Sequence, residues 1–321
     1  ILLENPNTLT NLNINTNVLG KFKTGSVEHE LLAGVEFSQD TIDDKIDLKV
    51  IGSIDIFNPE YSPESLAGLT IPLEDNKTTT DAVGFYLQDQ ISFSKNLILV
   101  LGGRFDIAKQ KFDDRRSDTQ DFDRQDEAFS PRVGVVYKPA ENISLYGSYT
   151  RSFKPVAGRE TSLDPNTNTL TLGDPFEPER STQYEEGIKA NLFKDKLSTT
   201  LSFFNLERTN VAEQAPNDPV GFQQTGKQRS QGIELNVVGE IAPGWNILTS
   251  YAFTDAEITE DDSFPEGNQL RNVPRHAASL WTTYKIQSGT LKGLGLGLGL
   301  FYVGEREGDL ENTFSLPSYL R

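Results

Sequence analysis

Apolar and polar residues alternate with a period of two in segment after segment, and this feature constrains the fold most. Successive side chains of a β-strand point to opposite faces, so alternation predicts strands with one apolar and one polar face. The clearest segment is 294–302, where leucines alternate with glycines and one face carries almost no side chain. Comparable segments lie at 30–38, 97–107, 129–137, 233–237 and 245–254. The pattern predicts about twelve complete strands and one more beginning near Ser318, many close to the roughly ten residues that span a membrane.

The connections between these segments follow a second rhythm. Short connections lie at 23–26, 94–96, 138–142, 193–196 and 240–244. Long polar connections, expected to be loops, lie between them at 39–77, 113–127, 153–180, 209–224 and 259–271. A barrel with tight turns at one end and extended loops at the other has this rhythm, whereas a β-sandwich mixes connection lengths. The expected fold class is all-β, a transmembrane antiparallel up-and-down β-barrel. The segment 197–207 leaves its lipid-facing side open, because Phe203 and Phe204 fall on opposite faces.

Composition excludes several other classes. The chain has 321 residues, a net charge of −17, 36% hydrophobic and 10% aromatic residues. It is too long and too aromatic to be disordered. The longest apolar run, 294–303, is shorter than the roughly 20 residues of a membrane helix. Nucleic-acid binding calls for clustered lysine and arginine, which this acidic balance disfavours. Cysteine is absent, so disulfides and thiolate metal sites are excluded.

Catalytic and metal-binding patterns are weak. The only two histidines, His29 and His276, are far apart, so they do not predict a metal site. No spacing selects a catalytic serine or a carboxylate pair, and an enzyme is not predicted. The glycines of 293–299 recur at every second residue without a following helix, which favours strand packing over a phosphate loop. The segment 164–168 lacks the glycine and glutamate of a calcium loop.

Short sequence blocks follow one another in a fixed order. They lie at 22–25, 28–34, 86–90 (YLQDQ), 102–106 (GGRFD), 130–134 (SPRVG), 175–179 (PFEPE), 183–189 (QYEEGIK), 225–234 (TGKQRSQGIE), 244–246, 250–251, 272–276 (NVPRH), 302–306 and 316–319. This series resembles the C-terminal β-barrel portion of TonB-dependent ferric-siderophore receptors, particularly the ferrichrome or hydroxamate type found in cyanobacteria and proteobacteria. The resemblance covers essentially the whole chain.

The resemblance implies an architecture and a function. Residues 1–321 would be part of one outer-membrane barrel of about 22 strands, with a plug domain and the last strands outside this chain. The complete protein would import ferric siderophores across the outer membrane of a Gram-negative bacterium, energised through TonB. Iron would arrive as the ferric siderophore, with no cofactor bound directly. Its partners would be the siderophore, its own plug domain, the TonB–ExbB–ExbD system and outer-membrane lipid, but no nucleic acid.

Three other functions stay open at this stage. One is a receptor of the same family for vitamin B12 or another metal complex. Another is a passive, porin-like barrel, which the gene sequence upstream of Ile1 would separate from a plugged receptor. A third is a soluble all-β protein, which the membrane-spanning length of the strands disfavours.

A ferric siderophore is a bulky polar chelate, so its receptor needs aromatic and hydrogen-bonding surface rather than metal ligands. Candidates in the long connections are Phe57, Tyr61, Phe122, Phe153, Arg159, Phe176 and Phe222. Each of them could instead pack within its own loop, as long loops often do. Charged residues expected on the lumen face, where they would contact a plug or pair with one another, are Arg104, Arg132, Glu185, Lys189 and Glu234.

Overall fold

The computed structural model of the chain describes residues 2–50, 57, 69–115, 121–156, 158–164, 169–215 and 221–321. The strands are β1 (Leu2–Glu4), β2 (Thr8–Thr24), β3 (Val27–Val50), β4 (Leu69–Ser92), β5 (Leu97–Asp114), β6 (Phe122–Ala140), β7 (Ile143–Lys154), β8 (Arg159–Asp164), β9 (Thr169–Pro175), β10 (Glu179–Leu192), β11 (Leu197–Gln214), β12 (Phe222–Ala242), β13 (Trp245–Glu260), β14 (His276–Lys285), β15 (Gly295–Val303), β16 (Arg306–Glu307), β17 (Ser315–Leu316) and β18 (Tyr319–Leu320). Within the described ranges, no helix is long and apolar enough to cross a membrane.

In the part of the chain that the structure describes, thirteen strands form the wall of one antiparallel sheet, in the order β2-β3-β4-β5-β6-β7-β10-β11-β12-β13-β14-β15-β18. Each wall strand pairs with the wall strand before it in the chain, as an up-and-down barrel requires. The sheet is open, since no described residue of β2 pairs with β15 or β18. The predicted all-β fold is confirmed, and so are the twelve strands plus one beginning near Ser318.

The sheet has an apolar and a polar face, because directly paired residues of neighbouring strands share a face. One cross-strand row consists of Val35, Phe85, Phe105 and Phe129. The adjacent row, on the opposite face, consists of Gly34, Tyr86, Arg104 and Ser130. Exposure of 61% at Phe129 and 54% at Phe85 marks the apolar face as a surface made for lipid.

The register also assigns the faces of β11, which the sequence left open. Phe203 pairs with Ile233, so it lies on the apolar face. Phe204 pairs with Gly232 and with Glu185, so it lies on the polar face. A Cβ atom at Gly232 would come within 3.0 Å of the Phe204 ring, which therefore occupies the space that this glycine leaves.

The polar face of the glycine-rich strand β15 carries almost no side chain of its own, but a side chain of β14 covers it. Trp281 of β14 pairs with Gly299 and lays its indole ring over that position. A Cβ atom at Gly299 would lie 2.8 Å from the Trp281 ring. The leucines of β15 lie on the apolar face, as the alternation predicted.

The long connections differ from the loops that the sequence predicted. β3 and β4 are 24 residues each, more than twice the roughly ten residues that cross a membrane, and they stay paired as far as Val50 and Leu69. β5, β6, β11 and β12 project in the same way. Stretches of these outer segments, such as 39–45 and 74–81, are polar at nearly every position, and they interrupt the alternation by which the inner segments were recognised. Threonine-rich pairs such as Thr41 with Thr79 hold the projecting ladder together.

The opposite end, here called the turn end, carries the tight connections that were predicted. Gly25 and Gly244 adopt positive φ angles of 64° and 76°, which suits glycine in tight turns. Lys196 Nζ and Glu240 Oε2 form a 2.7 Å ion pair there, and the Gly244 N–H donates to the same carboxylate. The lysine, followed by this N–H, lowers the pKa of Glu240. Residues 286–294, between β14 and β15, form the longest of these connections.

Candidate functional site

The third long connection folds back over the polar face at the outer end of the sheet. Gln110 Nε2 donates to the carbonyl of Val156 at 3.1 Å, and Arg124 Nη1 donates to the carbonyl of Phe176 at 2.9 Å. The Phe176 N–H donates to the carbonyl of Gly158 at 3.1 Å, which closes the base of the β8–β9 hairpin. The outer polar face of β5 and β6 therefore lies beneath this hairpin, and Phe176 is only 6% exposed.

The same connection also reaches β12, across the outer end of the polar face, which is called the mouth below. Thr161 of β8 pairs with Phe222 of β12, and the Phe222 N–H donates to Thr161 Oγ1 at 3.0 Å. Gln224 and Glu177 exchange two hydrogen bonds, of 2.7 and 2.6 Å. Because β7, β10 and β11 lie between β6 and β12 in the sheet, the connection crosses the outer ends of those strands.

An aromatic and cationic cluster lies under this crossing. The rings of Phe112 and Phe122 stack at 5.1 Å between centroids with an interplanar angle of 7°. The guanidinium of Arg159 lies over the Phe122 ring at 5.4 Å. Arg124 pairs with Asp126 at 2.9 Å on the same face. The mouth cluster is defined here as Phe112, Phe122, Arg124, Arg159 and Phe176.

The structure brings together three of the seven loop candidates, Phe122, Arg159 and Phe176. Phe222 lies at the other side of the hairpin and is 44% exposed. Phe153 is covered by the Arg180 guanidinium at 5.7 Å, and their register puts both on the face of Tyr149 and Tyr184. Phe57 is 91% exposed. Tyr61 lies outside the described residues.

Two members of the mouth cluster were not predicted. Phe112 lies at the end of β5 and was hidden because the sequence showed no partner for it. Its direct pairing with Phe122 across the β5–β6 ladder is the signal, and it becomes visible only once the register is known. Arg124 was missed because the segment 113–127 was taken for a loop.

Arg104 and Arg132 share the polar face and line one recess of about 630 Å³ with Tyr86, Gln88 and Thr150. Arg104 binds Glu36 at 2.6 Å and Asp106 at 2.7 Å, so its charge is neutralised within the wall. Arg132 is exposed and makes no ion pair with any described residue. Of these two predicted lumen cations, only Arg132 is therefore available to another molecule.

The other predicted lumen charges lie near Tyr146. Its hydroxyl donates to Glu185 Oε1 at 2.8 Å, and Lys189 Nζ lies 5.1 Å from its ring centroid. Gly187 makes room for this ring, since a Cβ atom there would lie 2.7 Å from the Tyr146 hydroxyl. Glu234 is exposed and shares this face through the pairing of Ser202 with Gly187 and Glu234. The register thus puts all five predicted lumen charges on one face.

An ion-pair cluster ties the projecting parts of β3, β4 and β5. Arg115 binds Asp43 at 2.6 Å and Asp75 at 3.2 Å. Asp43 is about sixteen residues from the start of β3, well beyond the roughly ten residues inside the membrane. Hydrogen bonding to Arg115 lowers the pKa of Asp43, whereas burial, followed by repulsion from Asp43, raises the pKa of Asp44.

The histidines do not form a metal site. His29 Nδ1 lies 2.7 Å from Asp89 Oδ2, and His276 Nδ1 lies 2.9 Å from the Tyr251 hydroxyl. Among the described residues, no three histidine, aspartate or glutamate side chains converge in a way that could hold a metal ion. The mouth cluster is aromatic and cationic instead, with Phe112 and Phe176 buried and with Phe122 and Arg159 partly exposed.

Comparison with known proteins agrees with this architecture. The family model described as "TonB dependent receptor-like, beta-barrel" matches residues 3–321. The chain is 36% identical over 315 residues to the metal-pseudopaline receptor CntO of Pseudomonas aeruginosa, covering 94% of this chain and 42% of that protein. It is 32% identical over 326 residues to the ferrichrome outer membrane transporter and phage receptor of Escherichia coli, covering 97% of this chain and 41% of that protein.

A solved structure gives the same result. The crystal structure of the siderophore receptor PiuA from Acinetobacter baumannii superposes with a TM-score of 0.76 at 26% identity, covering 98% of this chain and 49% of that chain. The chain therefore spans less than half the length of the relatives that it matches.

Proposed function

We propose, because the chain belongs to the TonB-dependent receptor β-barrel family, that the protein containing it imports ferric siderophores using energy delivered through TonB. Barrels of this family are outer-membrane proteins of Gram-negative bacteria, and they are receptors and transporters rather than enzymes. The apolar face of the sheet is then the lipid-facing wall. The polar face lines the lumen.

The mouth cluster is the observation that carries this proposal. It combines a stacked aromatic pair with arginines on the lumen face, beneath a hairpin that crosses the outer end of the barrel. A bulky chelate is recognised by such aromatic and hydrogen-bonding surface, because its metal is already wrapped by the ligand. Iron would enter as this chelate, with no cofactor bound directly by the protein.

The lumen charges fit the remaining partners. Arg132, Lys189 and Glu234 are exposed on the lumen face. Glu185 is half-buried and bound to Tyr146. A plug domain of the same protein would find both signs of charge on this wall, and it would link the barrel to TonB and the ExbB–ExbD proteins.

Deleting the gene and measuring growth in iron-depleted medium tests the proposal. Purified ferric siderophores should restore growth and radio-iron uptake in the parent strain but not in the deletion strain. Substituting Phe122→Ala in the chromosomal gene should lower uptake while leaving the amount of protein in the outer membrane unchanged. Equal uptake of every chelate by the parent and deletion strains would reject the proposal.

A second candidate is a chelate of another metal. The relative at 36% identity is named for a metal-pseudopaline complex rather than for an iron siderophore. Growth of the deletion strain in medium depleted of zinc, nickel or cobalt separates the two. A defect in one of these media, with normal growth at low iron, would favour this second candidate.

A further inference from the structure

Arg159, like Arg132 and Arg180, makes no ion pair with a described residue, in contrast to several other arginines of the sheet. Arg115, Arg124, Arg208 and Arg229 each bind at least one carboxylate. Within the described ranges Arg159 makes no ion pair, and its Nε is enclosed without any hydrogen-bond partner. Enclosed donors are normally satisfied, because an unmade hydrogen bond costs free energy.

The position of Arg159 is fixed by its surroundings. The guanidinium lies over the Phe122 ring, with Cζ 5.4 Å from the ring centroid, and Phe122 is backed by the buried Phe112. This cation–π contact holds the group near the ring, but it contributes no negative charge. A guanidinium held in this way presents its edge donors to oxygen atoms with little further loss of side-chain freedom.

The charge of the chain does not cancel this local effect. The net charge of −17 is spread over the whole sequence. Charges that are exposed and further apart than about 8 Å are largely screened at physiological ionic strength. An anion at the mouth therefore responds mainly to Arg159 and to the neighbouring Arg124, whose charge is already balanced by Asp126 at 2.9 Å and Glu177 at 3.8 Å.

We propose that Arg159 is the anion-recognition residue of the mouth, and that the receptor prefers a metal chelate bearing net negative charge to a neutral one. The chelate would present catecholate or carboxylate oxygens to the guanidinium edge. This inference rests on the proposed import function and adds the substrate class to it. The resemblance to ferrichrome-type receptors would by itself favour a neutral tris-hydroxamate chelate, and Arg159 argues for the charged class.

The inference is tested by measuring the uptake of three radio-iron chelates. The substitutions are made in the chromosomal gene of a strain that lacks other siderophore receptors. The probes are a ferric tris-catecholate, a ferric hydroxycarboxylate and a neutral ferric tris-hydroxamate. The variants are Arg159→Gln and Arg159→Lys, with Arg180→Gln as the matched control. Arg180 also lies over a phenylalanine and makes no ion pair with a described residue, but its register puts it on the other face.

The wild type should take up at least one anionic chelate at lower concentrations than the neutral chelate. Arg159→Gln should raise the half-saturating concentration of that anionic chelate by about tenfold or more, as expected when a hydrogen bond to a charged group is lost. Uptake of the neutral chelate should fall by much less. Arg159→Lys should lose less, because it retains the charge, and Arg180→Gln should match the wild type. A response of the tris-catecholate to Arg159→Gln would indicate recognition of catecholate oxygens. A response of the hydroxycarboxylate would indicate recognition of carboxylate oxygens.

Three outcomes would overturn the inference. In the first, the wild type prefers the neutral chelate, which leaves the import function standing. In the second, Arg159→Gln affects all imported chelates equally or has no effect, at wild-type levels of protein in the outer membrane. In the third, the wild type imports none of the probes or any other chelate, which rejects the import function and this inference together.

Discussion

Trp281 fills the space that the glycines of β15 leave on the lumen face, and a substitution at Gly299 tests this packing. Substituting Gly299→Ala puts a methyl group 2.8 Å from the indole. The crowding should lower the free energy of unfolding by about 1–3 kcal/mol. Urea unfolding in detergent micelles, followed by the shift between folded and unfolded bands on gels, measures this loss.

Gly295→Ala is the matched control for that substitution. Gly295 lies on the same strand and the same face, but its nearest neighbour, the Tyr284 carbonyl oxygen, is 3.9 Å from the position of an added Cβ atom. It should change stability much less than Gly299→Ala. Equal effects of the two substitutions would contradict the placement of Trp281.

Asp43 provides a test of charge at the same scale. Its hydrogen bond to Arg115 holds the pKa of this carboxyl below the ordinary 3.8. A lowered pKa means that the ion pair is complete at neutral pH and is lost as the pH falls through that lowered value. A carbon-13 NMR titration of labelled aspartate should show Asp43 titrating below the ordinary value.

Arg115→Gln should return the titration of Asp43 towards that ordinary value. Lys21→Gln, near the turn end, serves as the control and should leave it where the wild type has it. An Asp43 that titrates alike in the wild type and Arg115→Gln would show that the ion pair does not form.

At the residue scale, the sequence predicted which residue types form the candidate site better than it predicted which residues lie in contact. Phe122, Arg159 and Phe176 were identified by residue type, and they do lie together. Phe112 escaped notice because its role depends on pairing across β5 and β6. A contact between residues on neighbouring strands depends on register, which the sequence of one strand does not encode.

The β8–β9 hairpin is the element on which the proposed site depends most. Thr161 and Phe222 face one another as directly paired residues of β8 and β12. Since the chain contains no cysteine, the double variant Thr161→Cys, Phe222→Cys should form a single new disulfide in the oxidising periplasm. Gel mobility with and without reductant, after protease cleavage between the two positions, measures the link.

The matched pair is Thr161→Cys with Ser198→Cys, which lies near the turn end of β11 and should stay unlinked. Failure of the first pair to link, with both cysteines accessible to a thiol reagent, would contradict the crossing of the mouth.

At the element scale, prediction succeeded inside the membrane and failed outside it. Segments such as 30–38 alternate because lipid and lumen impose different solvents on their two faces. The outer parts of β3 and β4 have water on both sides, so stretches such as 39–45 and 74–81 are polar at nearly every position, and the period-two pattern is interrupted there. Without that pattern, a long polar ladder and a long loop look the same in sequence.

At the scale of the whole molecule, the chain's two tryptophans report on both faces of the wall. Trp245 lies on the apolar face, where its Nε1–H donates to Thr282 Oγ1 at 2.8 Å, whereas Trp281 lies on the lumen face. Lipids brominated near the headgroup should quench the fluorescence of Trp245, which is the part of the signal that Trp245→Phe removes. They should leave the fluorescence of Trp281, the part that Trp281→Phe removes, largely unquenched. Equal quenching of the two contributions would mean that the faces are assigned wrongly.

The central claim is that this wall belongs to a TonB-energised importer rather than a passive pore. The most direct measurement is the initial rate of radio-iron chelate uptake in otherwise identical strains with and without TonB. Binding of the chelate to whole cells should persist in both strains, while uptake should be lost without TonB. Uptake at the same rate in both strains, through this protein, would contradict the account.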